Sequence, residues 1–488
     1  MAQISQSIMS LPARAGLIAG LAVLVLVLIL PAPAGLSVAG WRVAALAICM
    51  AIWWSTEPLP VGITALLPLV ALPLMGASSM EEAAAPYANP LIFLFLGGFL
   101  LAAAVQRWGL HRRLAWLVLR AFGSAPARLV AGVMLAVGFL SMWISNTAAV
   151  MLMLPVALSV IAATEAGPGH SDHGAQRRFA LALLLGLAFA ANIGGVGTLI
   201  GTPPNALLAA WLESAHGVRV SFASWLAVGL PLVALMLPLC WLVLTRLVFP
   251  LPARLPGIEG EQALQGLAPG GAMSPAERRV ALVMLAAALG WVTRPLLNRL
   301  PGLEGLTDPI VALLCAMALF VIPTGNPGKR RFLLVWTEAR RIAWQVLLLF
   351  GGGLSLAAAM TQTGLADWIA EGLAGVAALP SWAFLLVLAA AVGLLTSMVS
   401  NTAVVAALLP VMGALAVASG LDVVVLGVVV TMAASCAFLL PAATPPNAVV
   451  FASSQVRVAD MLRAGVVVNL IAVGVVALCA WLLAPLLR

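Results

Sequence analysis

Two short polar motifs occur twice in a chain that is otherwise strongly apolar. The triplet Ser-Asn-Thr, the SNT motif, begins at Ser145 and again at Ser400, and the tetrad Thr-Pro-Pro-Asn, the TPPN motif, begins at Thr202 and again at Thr444. Hydroxyl and amide oxygens are hard donors that suit an alkali cation without a fixed carboxylate. One such triplet in a membrane helix is more often a contact between helices, but its duplication favours binding.

The TPPN motif predicts a broken helix. Two consecutive prolines remove two amide donors, so a continuous helix cannot pass through them. Thr202 and Thr444 suit the N-cap of a new half-helix with proline at its first position, and the free amides and positive dipole end then favour an anion. We expect the preceding half-helix to end at Gly201 or Ala443, where small side chains expose carbonyl oxygens to a cation.

Each SNT motif is preceded by another hydroxyl group one helical turn earlier. These residues are Ser141 in the first half and Thr396 in the second, and a turn of helix is about 3.6 residues. Together with the motif they predict a cage for a small cation. None of the four motifs contains Lys or Arg. An anion would therefore be held by dipoles, hydroxyls, amides and the bound cations, so its binding should require those cations.

The elements that carry these motifs must be membrane helices. Hydrophobic residues make up 63% of the 488 residues, charged residues make up 8%, and the mean hydropathy is +1.13. This composition is that of a chain in lipid, where backbone groups must be paired within helices. The cysteines and histidines lack the spacing of a resident metal centre. The basic residues are dispersed between apolar runs, so no nucleic-acid partner is expected.

The apolar runs predict an all-α polytopic protein with eleven transmembrane helices and two re-entrant hairpins. The hairpins, 130–163 and 382–420, are too long for one span and contain an SNT motif at the centre. The run 16–34 resembles a signal peptide, but its length favours an uncleaved first span. The predicted spans are 15–36, 42–57, 60–76, 90–106, 179–210, 223–248, 280–297, 308–323, 343–360, 422–452 and 465–487.

The basic residues orient this threading. With the N-terminus inside, 19 of the 24 Lys and Arg residues fall on the cytoplasmic side and five fall outside. Because basic short loops favour the cytoplasm, we expect an inner (cytoplasmic) membrane protein with an external C-terminus. The nonspanning segments 108–128 and 364–381 are expected to lie along opposite membrane surfaces.

The second half of the chain repeats the first. Gly98 and Gly353, Pro155 and Pro410, and the two SNT motifs are all 255 residues apart, whereas the TPPN motifs are 242 apart because a polar loop of the first half is absent from the second. Four spans precede the first hairpin and nine precede the second, so the repeats should enter the membrane from opposite sides. Such an inverted repeat places a site near the midplane, between the halves.

The surroundings of these motifs resemble the divalent anion/sodium symporter family, the INDY-type carriers of di- and tricarboxylates and sulfate. The stretches MWISNTA, NIGGVGTLIGTPPNAL, SMVSNTAVV and SCAFLLPAATPPNAVVF occur in the family's order. The resemblance implies a homodimer and an elevator-type transporter. It divides the chain into scaffold spans with a cytoplasmic surface helix (1–128), a first transport half (129–248), a linker with scaffold spans and an outer surface helix (249–381), and a second transport half (382–488).

The resemblance also implies which residues bind sodium and substrate. The first sodium site would use Ser141, Ser145, Asn146 and Gly201, and the second Thr396, Asn401, Ala443 and the backbone carbonyl of Val399. The substrate would contact Ser145, Asn146, Thr147 and Thr202 from one half, and Ser400, Asn401, Thr402, Thr444 and Pro445 from the other. The co-transported sodium ions are the expected cofactors, and no organic cofactor is implied.

The sequence therefore predicts sodium-coupled symport of a divalent anion across a lipid bilayer. A C4-dicarboxylate such as succinate, malate or fumarate is favoured, with citrate and sulfate as alternatives. A sodium-independent dicarboxylate exchanger of the same fold stays open. An intramembrane enzyme would need a nucleophile with a base, or paired acids, at depth; Glu57 ends a span before Pro58 and is expected at the interface. A channel would not explain two cation sites facing one anion site.

Overall fold

The regular structure of the chain is helical, as predicted. The computed structural model describes residues 11–123, 125–165, 173–255, 271–325, 332–372 and 379–487. Within these ranges the one β-bridge joins Pro323 to Phe332. Eight described helices are long and apolar enough to cross a membrane, and seven shorter apolar helices accompany them. Each predicted span coincides with a helix or with a pair of helices separated by a break.

The first half of the chain contains the helices that carry the first SNT and TPPN motifs. Its described helices are α1 (Leu11–Ile29), α2 (Val38–Thr56), α3 (Val61–Thr64), α4 (Leu67–Leu74), α5 (Met80–Ala84), α6 (Pro90–Trp108), α7 (Leu110–Phe122), α8 (Pro126–Ser141), α9 (Asn146–Glu165), α10 (His173–Gly195), α11 (Pro203–His216) and α12 (Phe222–Leu242). A π-helical turn, Val243–Val248, extends α12.

The second half follows the same order of elements. Its described helices are α13 (Pro275–Leu297), α14 (Asp308–Val321), α15 (Trp336–Ala339), α16 (Trp344–Gln362), α17 (Leu365–Gly372), α18 (Ser381–Thr396), α19 (Asn401–Ser419), α20 (Val423–Ser435), α21 (Pro445–Phe451) and α22 (Val458–Leu483). Short 3-10 turns occur at Ala85–Ala88, Pro441–Ala443 and Ala484–Leu487.

The repeat seen in the sequence is also a repeat of secondary structure. Helices α8 and α18 begin 255 residues apart and end 255 residues apart, and α9 and α19 begin at the Asn of each SNT motif. The half-helices α11 and α21 both begin at the first proline of a TPPN motif. The surface segments predicted beside the hairpins contain α7 and α17. The inversion of the two halves in the membrane stays a prediction.

Local sequence signals explain where several of these helices begin and end. The hydroxyl of Ser221 accepts a hydrogen bond from the amide of Ser224 at 3.0 Å at the start of α12, and Ser274 accepts one from Glu277 at 3.2 Å at the start of α13. Such caps satisfy amides that have no partner inside the helix. Helix α11 ends at His216 and is followed by Gly217, whose φ of +66° is a left-handed conformation that favours glycine.

The core of the protein surrounds α10 and α20, the two helices that lead to the TPPN motifs. In α10, 94% of the most apolar stretch is buried, against 22% in α13. The Phe189 ring of α10 lies 4.9 Å from the Phe438 ring that follows α20, which joins the two halves. A Cβ on Gly194 would collide with the backbone of Gly138 in α8. Small residues thus let the hairpin approach α10 closely, as is typical of helix packing in membranes.

The outer surface is apolar, as a bilayer requires. On α13, Leu282, Leu285 and Leu289 are each more than half exposed. On α22, Leu470 and Trp481 are similarly exposed. An apolar surface of this extent marks contact with lipid or with another protein. The polar motifs therefore lie inside a protein whose outer face is adapted to hydrocarbon.

Candidate functional site

One cavity brings the two SNT motifs and the two TPPN motifs together. It has a volume of about 820 Å³ and lies between the first half and the second half of the chain. Residues that are far apart in sequence, from Trp54 to Ala448, meet there because the two broken hairpins face the two broken helices. All nine predicted substrate contacts line it: Ser145, Asn146, Thr147, Thr202, Ser400, Asn401, Thr402, Thr444 and Pro445.

The first SNT motif lies at the turn between α8 and α9. Ser145 precedes α9, and its hydroxyl accepts a hydrogen bond from the amide of Ala148 at 3.3 Å. The Oδ1 atom of Asn146 is buried and finds no hydrogen-bond partner in the described ranges. A buried amide oxygen without a partner is costly in a protein interior. A bound cation would satisfy that oxygen.

Three of the four residues predicted for the first sodium site line the cavity, and the fourth, Ser141, lies outside its lining. The Ser141 hydroxyl is buried and, like Asn146 Oδ1, has no partner among the residues the structure covers. A Cβ added to Gly201 would lie 3.0 Å from the carbonyl oxygen of Ser141 and closer still to that of Gly195. A Cβ on Gly195 would lie 2.6 Å from Asn146 Oδ1. Two carbonyl oxygens therefore lie close to Gly201 and one amide oxygen lies close to Gly195, and oxygen donors of this kind suit an alkali cation.

Gly195 was missed by the sequence analysis, although it belongs to this cluster. Its signal was the Gly194-Gly195 pair at the end of a long apolar run, a place where backbone can approach other groups closely. Seven residues separate Gly195 from the next proline, Pro203, so the predicted break did not point to this glycine. In the structure, its carbonyl oxygen is the nearest atom to the position that a Gly201 side chain would occupy.

The second SNT motif gives a related but different arrangement. Asn401 Oδ1 is also buried without a partner within the described chain. The Thr396 hydroxyl donates to the carbonyl of Gly393 at 3.2 Å, which leaves its lone pairs available to a cation. Ala443 is buried and lines the cavity. Val399 is half-buried in the turn before α19. Three predicted sodium ligands lie outside the cavity lining: Ser141, Thr396 and Val399. They could contact only a cation that is bound behind the residues of the cavity wall.

The helices before the TPPN motifs end earlier than we predicted. Helix α10 ends at Gly195, not at Gly201, and α20 ends at Ser435, not at Ala443. The cause is the Asn of each TPPN motif. Asn205 Nδ2 donates to the carbonyls of Gly195 and Thr198 at 3.1 and 2.7 Å. Hydrogen bonds from a later side chain replace the helical partners of these carbonyls, so the chain can leave the helix early.

The same device is repeated in the second half. Asn447 Nδ2 donates to the carbonyls of Ala437 and Leu440 at 3.0 and 3.1 Å. Both Asn205 and Asn447 are fully buried. The TPPN motif is thus a structural unit: its prolines start one half-helix, and its Asn binds carbonyls of the segment between that half-helix and the preceding one.

The two threonines of the TPPN motifs are not equivalent. Both occupy the N-cap position with extended backbone, as predicted. The Thr444 hydroxyl accepts a hydrogen bond from the amide of Asn447 at 3.3 Å, but the Thr202 hydroxyl makes no such bond. The prediction of a side-chain cap is therefore confirmed for Thr444 and wrong for Thr202. Because α11 and α21 begin with the same Pro-Pro pair, the prolines do not account for this difference.

A buried polar residue that the sequence analysis overlooked also lines the cavity. Asn192, in α10, is 2% exposed. Its Nδ2 donates to Thr444 Oγ1 at 3.1 Å and to Asn447 Oδ1 at 3.2 Å, across the boundary between the halves. The signal was an amide in the apolar run Phe-Ala-Ala-Asn-Ile. The repeat does not duplicate this amide, because the position 242 residues later is Ala434.

The cavity has little fixed charge. Among its lining residues within the described ranges, Glu57 is the one ionisable side chain. Glu57 is exposed at the end of α2 and has a φ of +46°, which agrees with the interfacial position predicted for it. The lining also includes Thr56, Val61 and Ala343, at the ends of α2, α3 and α16. The cavity lining therefore extends from the exposed Glu57 at the end of α2 to the four motifs.

Comparison with known proteins identifies the family. The family model for the transmembrane region of sodium:sulfate symporters matches residues 13–487. The chain belongs to the sodium:sulfate symporter family. This match confirms the resemblance to divalent anion/sodium symporters that the two motif pairs indicated. It also supports a transporter in place of an enzyme, in a membrane.

Two relatives in this family cover almost the whole chain. The sodium-dependent dicarboxylate transporter SdcS of Staphylococcus saprophyticus is 40% identical over 474 residues, which are 96% of this chain and 91% of that protein. Its counterpart from Staphylococcus aureus USA300 is 37% identical over 475 residues with the same coverage. The YdaH transporter of Alcanivorax borkumensis, a solved structure, is 14% identical with a TM-score of 0.54 and covers 96% of this chain and 98% of that one. This last likeness concerns the fold alone.

Proposed function

We propose that this symporter-family protein carries a C4-dicarboxylate together with sodium. The observation that carries the proposal is the pair of buried, unpartnered amide oxygens, Asn146 Oδ1 and Asn401 Oδ1, within the part of the chain that the structure describes, at the wall of one cavity. These two oxygens are suited to bind cations, and no Lys or Arg lines the cavity among the described residues. We therefore expect the bound cations to hold the anion. The relatives named as sodium-dependent dicarboxylate transporters support the same reading.

Sodium would occupy two positions related by the repeat. The first is formed by the carbonyls of Ser141 and Gly195, near Gly201, with the side chains of Ser141 and Asn146. Ser145 completes this first site. The second site uses Thr396, Asn401, Ala443 and the carbonyl of Val399. All these donors are oxygens, which matches a hard cation that is poorly served by nitrogen or sulfur.

The anion would lie between the two SNT motifs. The hydroxyls and amides of Ser145, Thr147, Ser400 and Thr402 line this space, and Pro445 closes one side of it. Helix α11, with 14 residues, directs its N-terminus at the cavity through Thr202. A dianion with two sodium ions is close to neutral, whereas an uncompensated carboxylate at membrane depth is costly. Dianions should therefore be preferred.

The order of binding follows from this charge balance. Without sodium, the cavity offers dipoles but no full positive charge to a dianion, so substrate affinity should be low. Sodium binding at Asn146 and Asn401 would supply that charge and hold the SNT turns in place. Release of sodium on the other side would then weaken the substrate site and let the anion leave. This coupling is what a symporter requires, because neither solute should cross alone.

We further propose that the structure is the inward-facing state of an elevator. The cavity reaches Thr56, Val61 and Ala343, at helix ends that the basic-residue count assigns to the cytoplasm. The N-terminus would then be cytoplasmic and the C-terminus external. The scaffold would comprise 1–128 and 249–381, and the moving halves 129–248 and 382–488. A homodimer would hold two scaffolds still while each transport unit moves, and the exposed apolar faces of the helices are compatible with such an interface.

Uptake of labelled succinate into proteoliposomes tests the coupling. Uptake should require an inward sodium gradient and should vanish when choline replaces sodium under an imposed potassium gradient. Unlabelled citrate and sulfate, tested as competitors, distinguish the alternative substrates. Succinate counterflow at an undiminished rate without sodium would overturn symport and favour the sodium-independent exchanger.

A further inference from the structure

We propose that Asn192 is a positioning residue that makes the Thr444 hydroxyl an obligatory hydrogen-bond donor to the substrate. The inference rests on the proposed function, because it assumes that Thr444 faces the anion. It concerns a residue of the first half acting on a motif of the second half. The two residues are 252 positions apart and are linked by one hydrogen bond of 3.1 Å.

The orientation of the Asn192 amide is set by Asn447. Both hydrogens of Asn447 Nδ2 are directed to backbone carbonyls, those of Ala437 and Leu440. Its Oδ1 must therefore be the atom that faces Asn192, and Oδ1 can only accept. Asn192 has to present its amino group, which donates to Asn447 Oδ1 at 3.2 Å with one hydrogen and to Thr444 Oγ1 with the other.

The Thr444 hydroxyl is thereby left with one unused function. A hydroxyl has two acceptor lone pairs and one donor hydrogen. Its oxygen accepts from Asn192 Nδ2 at 3.1 Å and from the amide of Asn447 at 3.3 Å. Both lone pairs are occupied, so the hydroxyl can only donate. Thr444 lines the cavity and is 3% exposed, and a carboxylate oxygen is an acceptor that would take this hydrogen.

The first half lacks this arrangement. The hydroxyl of Thr202 makes no capping bond to its own half-helix, and the position equivalent to Asn192 in the other repeat is Ala434. Thr202 therefore keeps both functions and can rotate between donating and accepting. The two ends of a symmetric dicarboxylate would meet different partners: a fixed donor at Thr444 and an adaptable hydroxyl at Thr202.

A double-mutant cycle tests the link between Asn192 and Thr444. Initial rates of sodium-driven succinate uptake into proteoliposomes are measured for Asn192→Ala, Thr444→Ala and the double variant at saturating sodium. Loss of a hydrogen bond to a charged acceptor should raise the KM for succinate roughly three- to tenfold in each single variant. Because Asn192 acts through the Thr444 hydroxyl, Asn192→Ala should add little to Thr444→Ala.

Two matched backgrounds complete the cycle. In Thr444→Ser the hydroxyl is kept, so Asn192→Ala should raise KM as it does in the natural chain. In Thr202→Ala the Thr444 hydroxyl is untouched, so the effects of the two substitutions should multiply. The sodium concentration for half-maximal uptake should stay within about twofold in the Asn192 variants, because neither cation position uses this residue. Asn192→Ser, whose side chain is too short to reach Thr444, serves as a second variant should the alanine variant not fold.

The outcomes separate this inference from the proposed function. If Thr444→Ala leaves the KM for succinate unchanged, Thr444 does not face the anion and the proposed site is wrong. If Thr444→Ala raises KM but Asn192→Ala does not, only the positioning role fails. If Asn192→Ala raises KM equally with and without Thr444, Asn192 acts through Asn447 as a structural support, and the inference is overturned.

Discussion

The backbone around Gly201 allows a sharp test of the first sodium site. A methyl group at this position would collide with the carbonyl oxygen of Gly195 and lie 3.0 Å from that of Ser141. Both carbonyls belong to the proposed cation cage, so Gly201→Ala must displace at least one of them. The corresponding position of the second half is already Ala443, whose methyl group the second site accommodates.

The expected effect can be bounded from packing energetics. Forcing one extra methyl group into a close-packed site costs about 1–3 kcal/mol. If that cost falls on the sodium-bound state, sodium affinity should decrease roughly 5- to 150-fold, since 1.4 kcal/mol is tenfold. The KM for succinate at saturating sodium should change much less, because Gly201 offers no side chain to the anion.

Two measurements check this expectation. The sodium dependence of succinate uptake in proteoliposomes gives the half-maximal concentration, and the sodium-induced rise in thermal stability of the purified protein reports binding without substrate. Ala443→Gly is the matched control and should shift the sodium curve by less than about threefold, since it removes a methyl group without creating a clash. A sodium curve unchanged by Gly201→Ala, or an equal shift in Ala443→Gly, would refute the cage assigned to Ser141 and Gly195.

Three further predictions concern the same site and its movement. Asn146→Ala and Asn401→Ala should each weaken sodium binding and substrate binding together. Thr444→Ala should cost about 0.5–2 kcal/mol of substrate affinity and leave sodium binding intact. If all three variants lost sodium binding equally, the TPPN motif would be a structural kink only. Lactate should compete with labelled succinate far less than malate does, and equal competition would contradict selection for dianions. Asp308 accepts a hydrogen bond from the amide of Phe222 at 2.7 Å, between the proposed scaffold and transport units, so Asp308→Ala should change the maximal rate of uptake more than the KM for succinate. A change in KM alone would place this contact outside the elevator movement.

The breaks in the membrane helices were readable from sequence because their causes are local. Two consecutive prolines cannot continue a helix but suit its first turn, so each TPPN motif begins a new half-helix. The first proline of each motif is the first residue of α11 or α21, and the Asn of each SNT motif is the first residue of α9 or α19. The duplication then identified both motif pairs as parts of one site. All the residues predicted to contact the substrate line a single cavity.

Other features could be decided only by the packed structure. Helix α10 ends at Gly195 because Asn205, ten residues later, turns back to bind its carbonyls, and sequence alone offers no measure of such a reach. Gly195 joins the first cation cluster only because α8 packs against α10.

The contrast is clearest at Asn192. Its type and its place in an apolar run are visible in the sequence, but its partner Thr444 lies 252 residues away in the other repeat. The sequence by itself determined the helices, their breaks and the residues that could bind ions, since these depend on covalent chemistry and near neighbours. Tertiary structure alone decided which hydroxyl is held as a donor and which stays free to rotate, because that depends on hydrogen bonds formed when α10 packs against α21.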